Sequence, residues 1–135
     1  MQTKTELTEE DFELIAAAKE TADSLRVAEI HEVAATLRTP DKKVFTGIHT
    51  NAYIGCFDIC GEVAAICHAL AHGYRNYDTI VTIWRDGKGH YELLSPCGRC
   101  REFISDFNQN TWVIIGSLDH PYKVKVSDLL PLKNP

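Results

Sequence analysis

Residues 60–72 read Cys-Gly-Glu-Val-Ala-Ala-Ile-Cys-His-Ala-Leu-Ala-His, and residues 95–107 read Ser-Pro-Cys-Gly-Arg-Cys-Arg-Glu-Phe-Ile-Ser-Asp-Phe. Both stretches place apolar residues at helical spacing, and the first ends at Gly73, a residue that commonly terminates helices. The two stretches therefore predict two helices, with Cys60 in the first turn of one and Cys97 and Cys100 in the first turn of the other. Two helices that direct their N-termini to one place would bring the three thiols together.

The rest of the chain supplies one further helix and several strands. Thr8 followed by three acidic residues predicts a helix over 9–25. Apolar and β-branched runs predict strands at 30–38, 43–50, 79–84, 111–116 and 122–126, with 51–59 as a loop. The order α-β-β-α-β-α-β-β predicts an α/β fold, a three-layer α-β-α sandwich around one mixed sheet. Residues 1–135 are expected to form a single domain.

Composition narrows the classes of function. Apolar residues make up 44% of the chain, and the formal net charge is −5. This negative charge disfavours electrostatic binding of nucleic acid and is compatible with a small substrate. The sequence shows neither a secretory signal nor a membrane-spanning run of about 20 apolar residues. Five cysteines, an odd number, then indicate reduced thiols and a cytoplasmic location rather than a disulfide framework.

The spacing C-x-E-x₃₃-P-C-x-x-C predicts a zinc site with Cys60, Cys97 and Cys100 as ligands. Three protein ligands leave the fourth position of a tetrahedral Zn²⁺ for water, as catalysis requires. The alternative is three unrelated buried thiols. A structural zinc site would need a fourth ligand. His68 and His72 have i, i+4 spacing but no adjacent acid in an H-E-x-x-H arrangement, so they are expected on the helix surface.

Glu62 is the predicted catalytic residue. Its carboxylate can take a proton from zinc-activated water and pass it to departing ammonia, which is hydrolytic deamination. Because three thiolates outweigh the charge of Zn²⁺, a cation near the sulfurs is expected, and Arg99 and Arg101 are the candidates, unless both are solvated surface residues. Cys67 falls on the apolar helix face and is expected in the core, and whether Cys56 lines the pocket stays open.

The chain resembles the cytidine deaminase superfamily over nearly its whole length. The zinc segments carry the resemblance, together with Val44-Phe-Thr-Gly and Leu129-Leu-Pro, and the segment from Ser95 to Arg101 is close to that of blasticidin S deaminase-like members. The resemblance implies a five-stranded sheet between helices, one zinc ion per subunit and a homotetramer whose pockets are completed across subunits. Ser95, the first residue of this second zinc segment, is also predicted to bind the substrate.

The positions at which this sequence differs from the family pattern are mainly those that hold the substrate in the family. His49 and Asn51 stand where nucleoside-specific members carry an asparagine and a glutamate that hold the ribose, and His31 stands where an aromatic residue packs near the base. Val63 replaces the usual arginine, which favours Arg99 as the compensating cation. His31, His49 and Asn51 are nevertheless predicted to bind the substrate, with ordinary polar loop residues as the alternative for His49 and Asn51.

The predicted function is zinc-dependent removal of the exocyclic amine from a cytosine-like ring in a small nucleoside. Cytidine, deoxycytidine and a modified cytosine nucleoside are the substrates considered. One alternative is a detoxifying deaminase for blasticidin S or another aminopyrimidine. The other is a catalytically inactive, zinc-stabilised nucleoside-binding protein. No nucleic-acid or membrane partner is expected.

Overall fold

A computed structural model describes residues 4–134. Its first helix, α1 (Glu9–Leu25), begins where the sequence predicts. The Thr8 hydroxyl accepts a hydrogen bond from the Asp11 backbone N–H, and the Asp11 carboxylate accepts one from the Thr8 N–H at 2.9 Å. This capping box satisfies two of the N–H groups that every helix start leaves open. The buried face of α1 includes Leu14, Ala18 and Ala22.

One mixed sheet forms the middle of the molecule. Its strands are β1 (Val33–Arg38), β2 (Val44–Ile48), β3 (Thr79–Arg85), β4 (Tyr91–Leu93), β5 (Trp112–Gly116) and β6 (Pro121–Lys125). They lie in the order β2-β1-β3-β5-β6, and β4 pairs with the end of β3. Only β3 and β5 run parallel, and the other pairs are antiparallel. The sheet described therefore has six strands rather than the expected five, and the additional strand is the short β4.

Helices cover both faces of this sheet. Helix α1 packs on one face, where Leu14 and Ala18 meet Val81 and Ile83 of β3. The other face carries α2 (Gly61–Ala71) and α3 (Gly98–Phe107), and the short α4 (Val126–Leu129) packs beside α3. The core on that side includes Leu37, Ile80, Ile66 and Ile104. Neighbouring residues of β3 face opposite layers, as strand geometry requires, so the predicted three-layer α-β-α sandwich is confirmed.

Helix α2 lies unusually close to the sheet at two glycines. A Cβ built on Gly47 of β2 would lie 2.2 Å from the Ala65 backbone nitrogen, and one on Gly61 would lie 3.2 Å from the Ala35 nitrogen. The helix can pack there only because both positions lack a side chain. This contact fixes the N-terminal turn of α2 against β1 and β2.

A buried ionic cluster joins α1 to the sheet. The fully buried Asp11 carboxylate accepts hydrogen bonds from Arg38 at 2.9 Å and from Lys123 at 2.8 Å, and Arg38 also contacts Asp78 at 2.9 Å. Burial alone would raise the pKa of Asp11, but these two cations and the Thr8 N–H outweigh it, so its pKa is lowered.

The structure differs from the sequence-based expectations in the start of β1, in the loop at 51–59 and in the position of Cys67. Strand β1 begins at Val33 rather than at residue 30, because residues 27–31 form a turn with Glu29 at φ 65°. The loop at 51–59 contains a short 3₁₀ turn, Gly55–Phe57. Cys67 is exposed, so its expected place in the core is wrong. The inward face of α2 is made by Ala65, Ile66 and Ala69, and the 100° step per residue turns Cys67 outward.

Within residues 4–134, no helix is long and apolar enough to cross a membrane.

Candidate active site

Three thiols converge where α2 and α3 begin. Cys60 is the N-cap residue of α2, Cys97 is the N-cap residue of α3, and Cys100 lies in the first turn of α3. Their sulfur atoms all lie within 4.8 Å of one another, and the Sγ atoms of Cys60 and Cys97 are 4.0 Å apart. Two sulfurs bound at about 2.3 Å to a tetrahedral zinc ion are separated by about 3.8 Å. Both the donor set and its spacing therefore fit Zn²⁺, with one position left open.

The thiols differ in how readily they ionise. Burial raises the pKa of Cys60 and of Cys100. Burial also opposes ionisation of Cys97, but the neighbouring Cys100 backbone N–H and the Cys100 and Cys60 thiols outweigh it and lower the pKa of Cys97. A divalent cation among the three sulfurs favours the thiolate form of each, which is the form that binds metal.

Glu62 lies in the first turn of α2, only 5% exposed, and lines the same cavity as the thiols. Burial raises the pKa of Glu62, and hydrogen bonds from its own backbone N–H, Thr82 and Cys100 only partly offset this. The raised pKa lies closer to neutral pH, and a carboxyl group with such a pKa can both accept and release a proton. Glu62 therefore has the placement expected of a proton-transfer residue.

The cavity over the thiols has a volume of about 240 Å³ and mainly apolar walls. This is below the roughly 300–1,000 Å³ of pockets that enclose a drug-sized ligand. The cavity is lined by Val33, His49, Cys60, Gly61, Glu62, Thr82, Leu94, Ser95, Cys97 and Cys100.

Two of the four predicted substrate-binding residues, His49 and Ser95, line this cavity. His31 lies behind His49, with its Nδ1 atom 3.0 Å from the His49 carbonyl oxygen. Asn51 turns away, because its side-chain amide donates to the Glu29 carbonyl at 2.5 Å and its N–H donates to the Ile30 carbonyl at 3.0 Å. Asn51 thus ties the following loop to the turn before β1.

The two candidate arginines make hydrogen bonds to backbone carbonyls. Arg101 donates to the Pro96 carbonyl at 2.8 Å and to the Leu129 carbonyl at 3.1 Å, which joins the start of α3 to α4. Arg99 reaches the Asp58 carbonyl at 3.4 Å. A charge-assisted contact from either guanidinium to sulfur stays a prediction. Cys56 is exposed in the 3₁₀ turn, outside the set of cavity-lining residues.

Sequence reasoning missed the apolar walls, Val33 and Leu94, and the threonine behind Glu62. Thr82 is 4% exposed in the middle of β3. A polar residue in an otherwise apolar buried strand needs a partner, and that rule was the available signal. Thr82 lines the same cavity as Glu62 and lowers the pKa of its carboxyl group.

Known proteins are similar to this chain in sequence. The family model described as the cytidine and deoxycytidylate deaminase zinc-binding region matches residues 8–116. A blasticidin-S deaminase from Bacillus cereus is 33% identical over 131 residues, which is 94% of each chain. A cytidine deaminase from Mycobacterium tuberculosis strain H37Rv is 28% identical over 100 residues, 73% of this chain and 69% of that protein.

Solved structures of cytidine deaminases have a similar fold. A cytidine deaminase from Burkholderia pseudomallei superposes with a TM-score of 0.78 at 26% identity, covering 95% of this chain and all of that one (100%). The thiol cluster and the family match together support zinc as the cofactor and a cytosine-like ring as the substrate. The chain belongs to the cytidine and deoxycytidylate deaminase family and is a zinc-dependent deaminase.

Proposed function

We propose that the protein hydrolyses the exocyclic C–N bond of the cytosine ring in a small nucleoside and releases ammonia. The observation that carries this proposal is the buried carboxyl group of Glu62 in one cavity with three clustered thiols. Water supplies the oxygen that becomes the carbonyl of the product, and the amine leaves as ammonia. An inactive binding protein would have no need for a buried carboxyl group at this point.

Each residue of the site has a separate task in this proposal. Cys60, Cys97 and Cys100 hold the zinc ion, which when bound acts as a Lewis acid and makes water acidic enough to ionise near neutral pH. Glu62 accepts a proton from the attacking water and delivers it to the departing amine. Thr82 lines the cavity beside Glu62 and favours the ionised form of its carboxyl group. The apolar walls exclude bulk water, which strengthens each of these polar contacts.

The identity of the nucleoside depends on the residues at the mouth of the cavity. His49 lines the mouth and offers a ring nitrogen to the sugar part of a substrate, whereas Asn51 is engaged with the Glu29 carbonyl. The carboxylate that holds ribose in nucleoside-specific members is thereby replaced by an amide directed elsewhere.

This change favours a modified cytosine nucleoside, whose sugar part is neither ribose nor deoxyribose. The similarity to blasticidin-S deaminase, which extends over 94% of the chain, supports the same class. Cytidine and deoxycytidine are the alternatives.

An ammonia-release assay of the zinc-loaded protein tests the reaction and the substrate together. It compares cytidine, deoxycytidine, cytosine and blasticidin S. Glu62→Gln keeps the shape of the side chain and removes its basic oxygen, so kcat is expected to fall roughly 10²–10⁴-fold while zinc stays bound. The control is Glu92→Gln, because Glu92 is exposed on β4. Ammonia release by Glu62→Gln at the wild-type rate would refute the mechanism.

We also propose that the protein forms a homo-oligomer, with a tetramer favoured. Tyr53, Ile54 and Phe57 lie in the loop beside the site, and all three are more than half exposed. Large apolar side chains grouped on one loop are typical of an interface between proteins. Light scattering during gel filtration should give four times the chain mass, and replacing Tyr53 and Phe57 by serine should reduce it. A wild-type mass equal to one chain would refute the proposal.

A further inference from the structure

Two histidines near the end of α2 lie outside the active site. His68 and His72 are both exposed, and neither lines the cavity over the thiols. At 1.5 Å per residue, His68 is about 12 Å further along the helix than Cys60. The proposed deamination uses neither of them.

The separation of the two rings suits a shared metal ion. Their centroids are 5.0 Å apart, and the ring planes are inclined by 72°. Imidazole nitrogens bind Zn²⁺ at about 2.0–2.1 Å, so two rings on one ion at angles of about 90–109° have centroids roughly 4.6–5.3 Å apart. This centroid separation falls within the range for joint binding.

The hydrogen bonds of the two rings select the form of imidazole that binds metals. Nδ1 of His68 is 3.0 Å from the Thr46 carbonyl oxygen, and Nδ1 of His72 is 3.0 Å from the His68 carbonyl oxygen. A carbonyl oxygen only accepts, so each neutral ring carries its hydrogen on Nδ1 and its lone pair on Nε2. A backbone carbonyl behind the ring is the usual support of a metal-binding histidine.

A core aromatic residue restricts both rings. The centroid of Phe45, a side chain that is only 8% exposed, is 5.2 Å from that of His68 and 5.2 Å from that of His72. Rings that are already packed lose less rotational freedom when they bind a ligand. The pair is thus more ordered than two histidines on a bare helix.

We propose that His68 and His72 form a second metal site, which binds one divalent ion of the Ni²⁺, Cu²⁺ or Zn²⁺ class through their two Nε2 atoms, with water completing the coordination. Imidazole suits these borderline ions. The ion links residues i and i+4, so it stabilises the last turns of α2. This inference does not depend on the proposed deaminase reaction.

The test is a calorimetric titration of the zinc-loaded protein with Ni²⁺ at pH 7.5. Wild type should bind one Ni²⁺ per chain at this site. His68→Ala and His72→Ala should each weaken that binding by at least the roughly 10–100-fold that the loss of a ligand's hydrogen-bond partner costs. The matched controls are His120→Ala, another exposed histidine, and Cys67→Ser, which removes the neighbouring exposed thiol. Both controls should bind Ni²⁺ as wild type does.

A second measurement uses the unaltered protein. In a long-range ¹H–¹⁵N spectrum, both rings should show hydrogen on Nδ1, and substoichiometric Ni²⁺ should broaden the signals of His68 and His72 before those of the other histidines. The proposal is overturned if Ni²⁺ broadens other histidines first, if His68→Ala and His72→Ala bind as wild type does, or if Cys67→Ser abolishes binding.

Discussion

Replacement of Gly47 by alanine should damage both stability and catalysis, because α2 rests directly on this residue. The new Cβ would lie 2.2 Å from the Ala65 nitrogen, 2.6 Å from the Ala64 carbonyl carbon and 2.6 Å from the Gly61 carbonyl oxygen. All three are backbone atoms, so no side chain can rotate away from the methyl group. Ordinary contact begins near 3.4 Å. Helix α2 must therefore move outward by about 1 Å.

The size of the effect follows from this displacement. Overpacking of this kind costs about 1–3 kcal/mol, and for a domain of this length each kcal/mol lowers Tm by roughly 3–5 °C. The displaced turn is the one that carries Cys60 and Glu62, whereas Cys97 and Cys100 remain on α3. A misplacement of about 1 Å in a catalytic group can cost roughly 100-fold in rate. Gly47→Ala is thus expected to lose about two orders of magnitude in kcat/KM.

The assay combines thermal unfolding, zinc content and ammonia release at a temperature well below Tm. The matched control is Gly87→Ala in the turn between β3 and β4, because the nearest atom to a Cβ on Gly87 is Nη2 of Arg26, at the ordinary contact distance of 3.4 Å. If Gly47→Ala unfolds within 1 or 2 °C of the control (about the shift that a few tenths of a kcal/mol produce), the close contact does not restrain α2. If it is less stable but fully active, the position of α2 does not govern the chemistry.

Two further predictions concern the buried ionic cluster and the thiols. Asp11→Ala should reduce stability by about 3–5 kcal/mol in a denaturant titration, because Arg38 and Lys123 lose the carboxylate between them. Because the folded-state pKa of Asp11 is lowered, its contribution is complete above the unfolded-state pKa near 4 and is lost as pH falls through the folded value. The stability of Asp11→Asn should accordingly change less with pH below about 4 than that of wild type, and an equal slope would contradict this. Cys100→Ser should lose zinc and activity and Cys67→Ser neither, as metal analysis will show, and retention of a full zinc equivalent by Cys100→Ser would contradict this.

The elements that sequence reasoning located correctly are those with local signals. Thr8 and Asp11 cap α1 through contacts within four residues of each other, so the start of that helix is readable from the chain. The start of α2 at Cys60 and the start of α3 after Pro96 were equally local. Strand β4 has only three residues and depends on its pairing with β3, so its own sequence carries little signal.

The same distinction separates the metal ligands from the substrate-binding residues. Cys60, Cys97 and Cys100 each belong to the first turn of a helix, and the sheet fixes where the two helices begin. Asn51 has a polar side chain at a plausible position, but the turn with Glu29 at positive φ gives it a carbonyl partner. That turn lies 22 residues earlier in the chain, so the loop sequence alone could not reveal the partner.

Chemistry and specificity therefore depend on different parts of this fold. The chemistry depends on two helix starts, and that of α2 is held by its close packing on the sheet at Gly47 and Gly61. We propose that specificity depends on His49 and the segment that follows β2. The Nδ1 atom of His31 lies 3.0 Å from the His49 carbonyl oxygen, and the Asp58 carboxylate accepts a hydrogen bond from the Ala52 N–H at 2.6 Å. We expect loop residues to change without moving α2, because the packing at Gly47 and Gly61 holds that helix against the sheet. A deaminase of this architecture can accordingly exchange one cytosine nucleoside for another while Glu62 and the thiols stay in place.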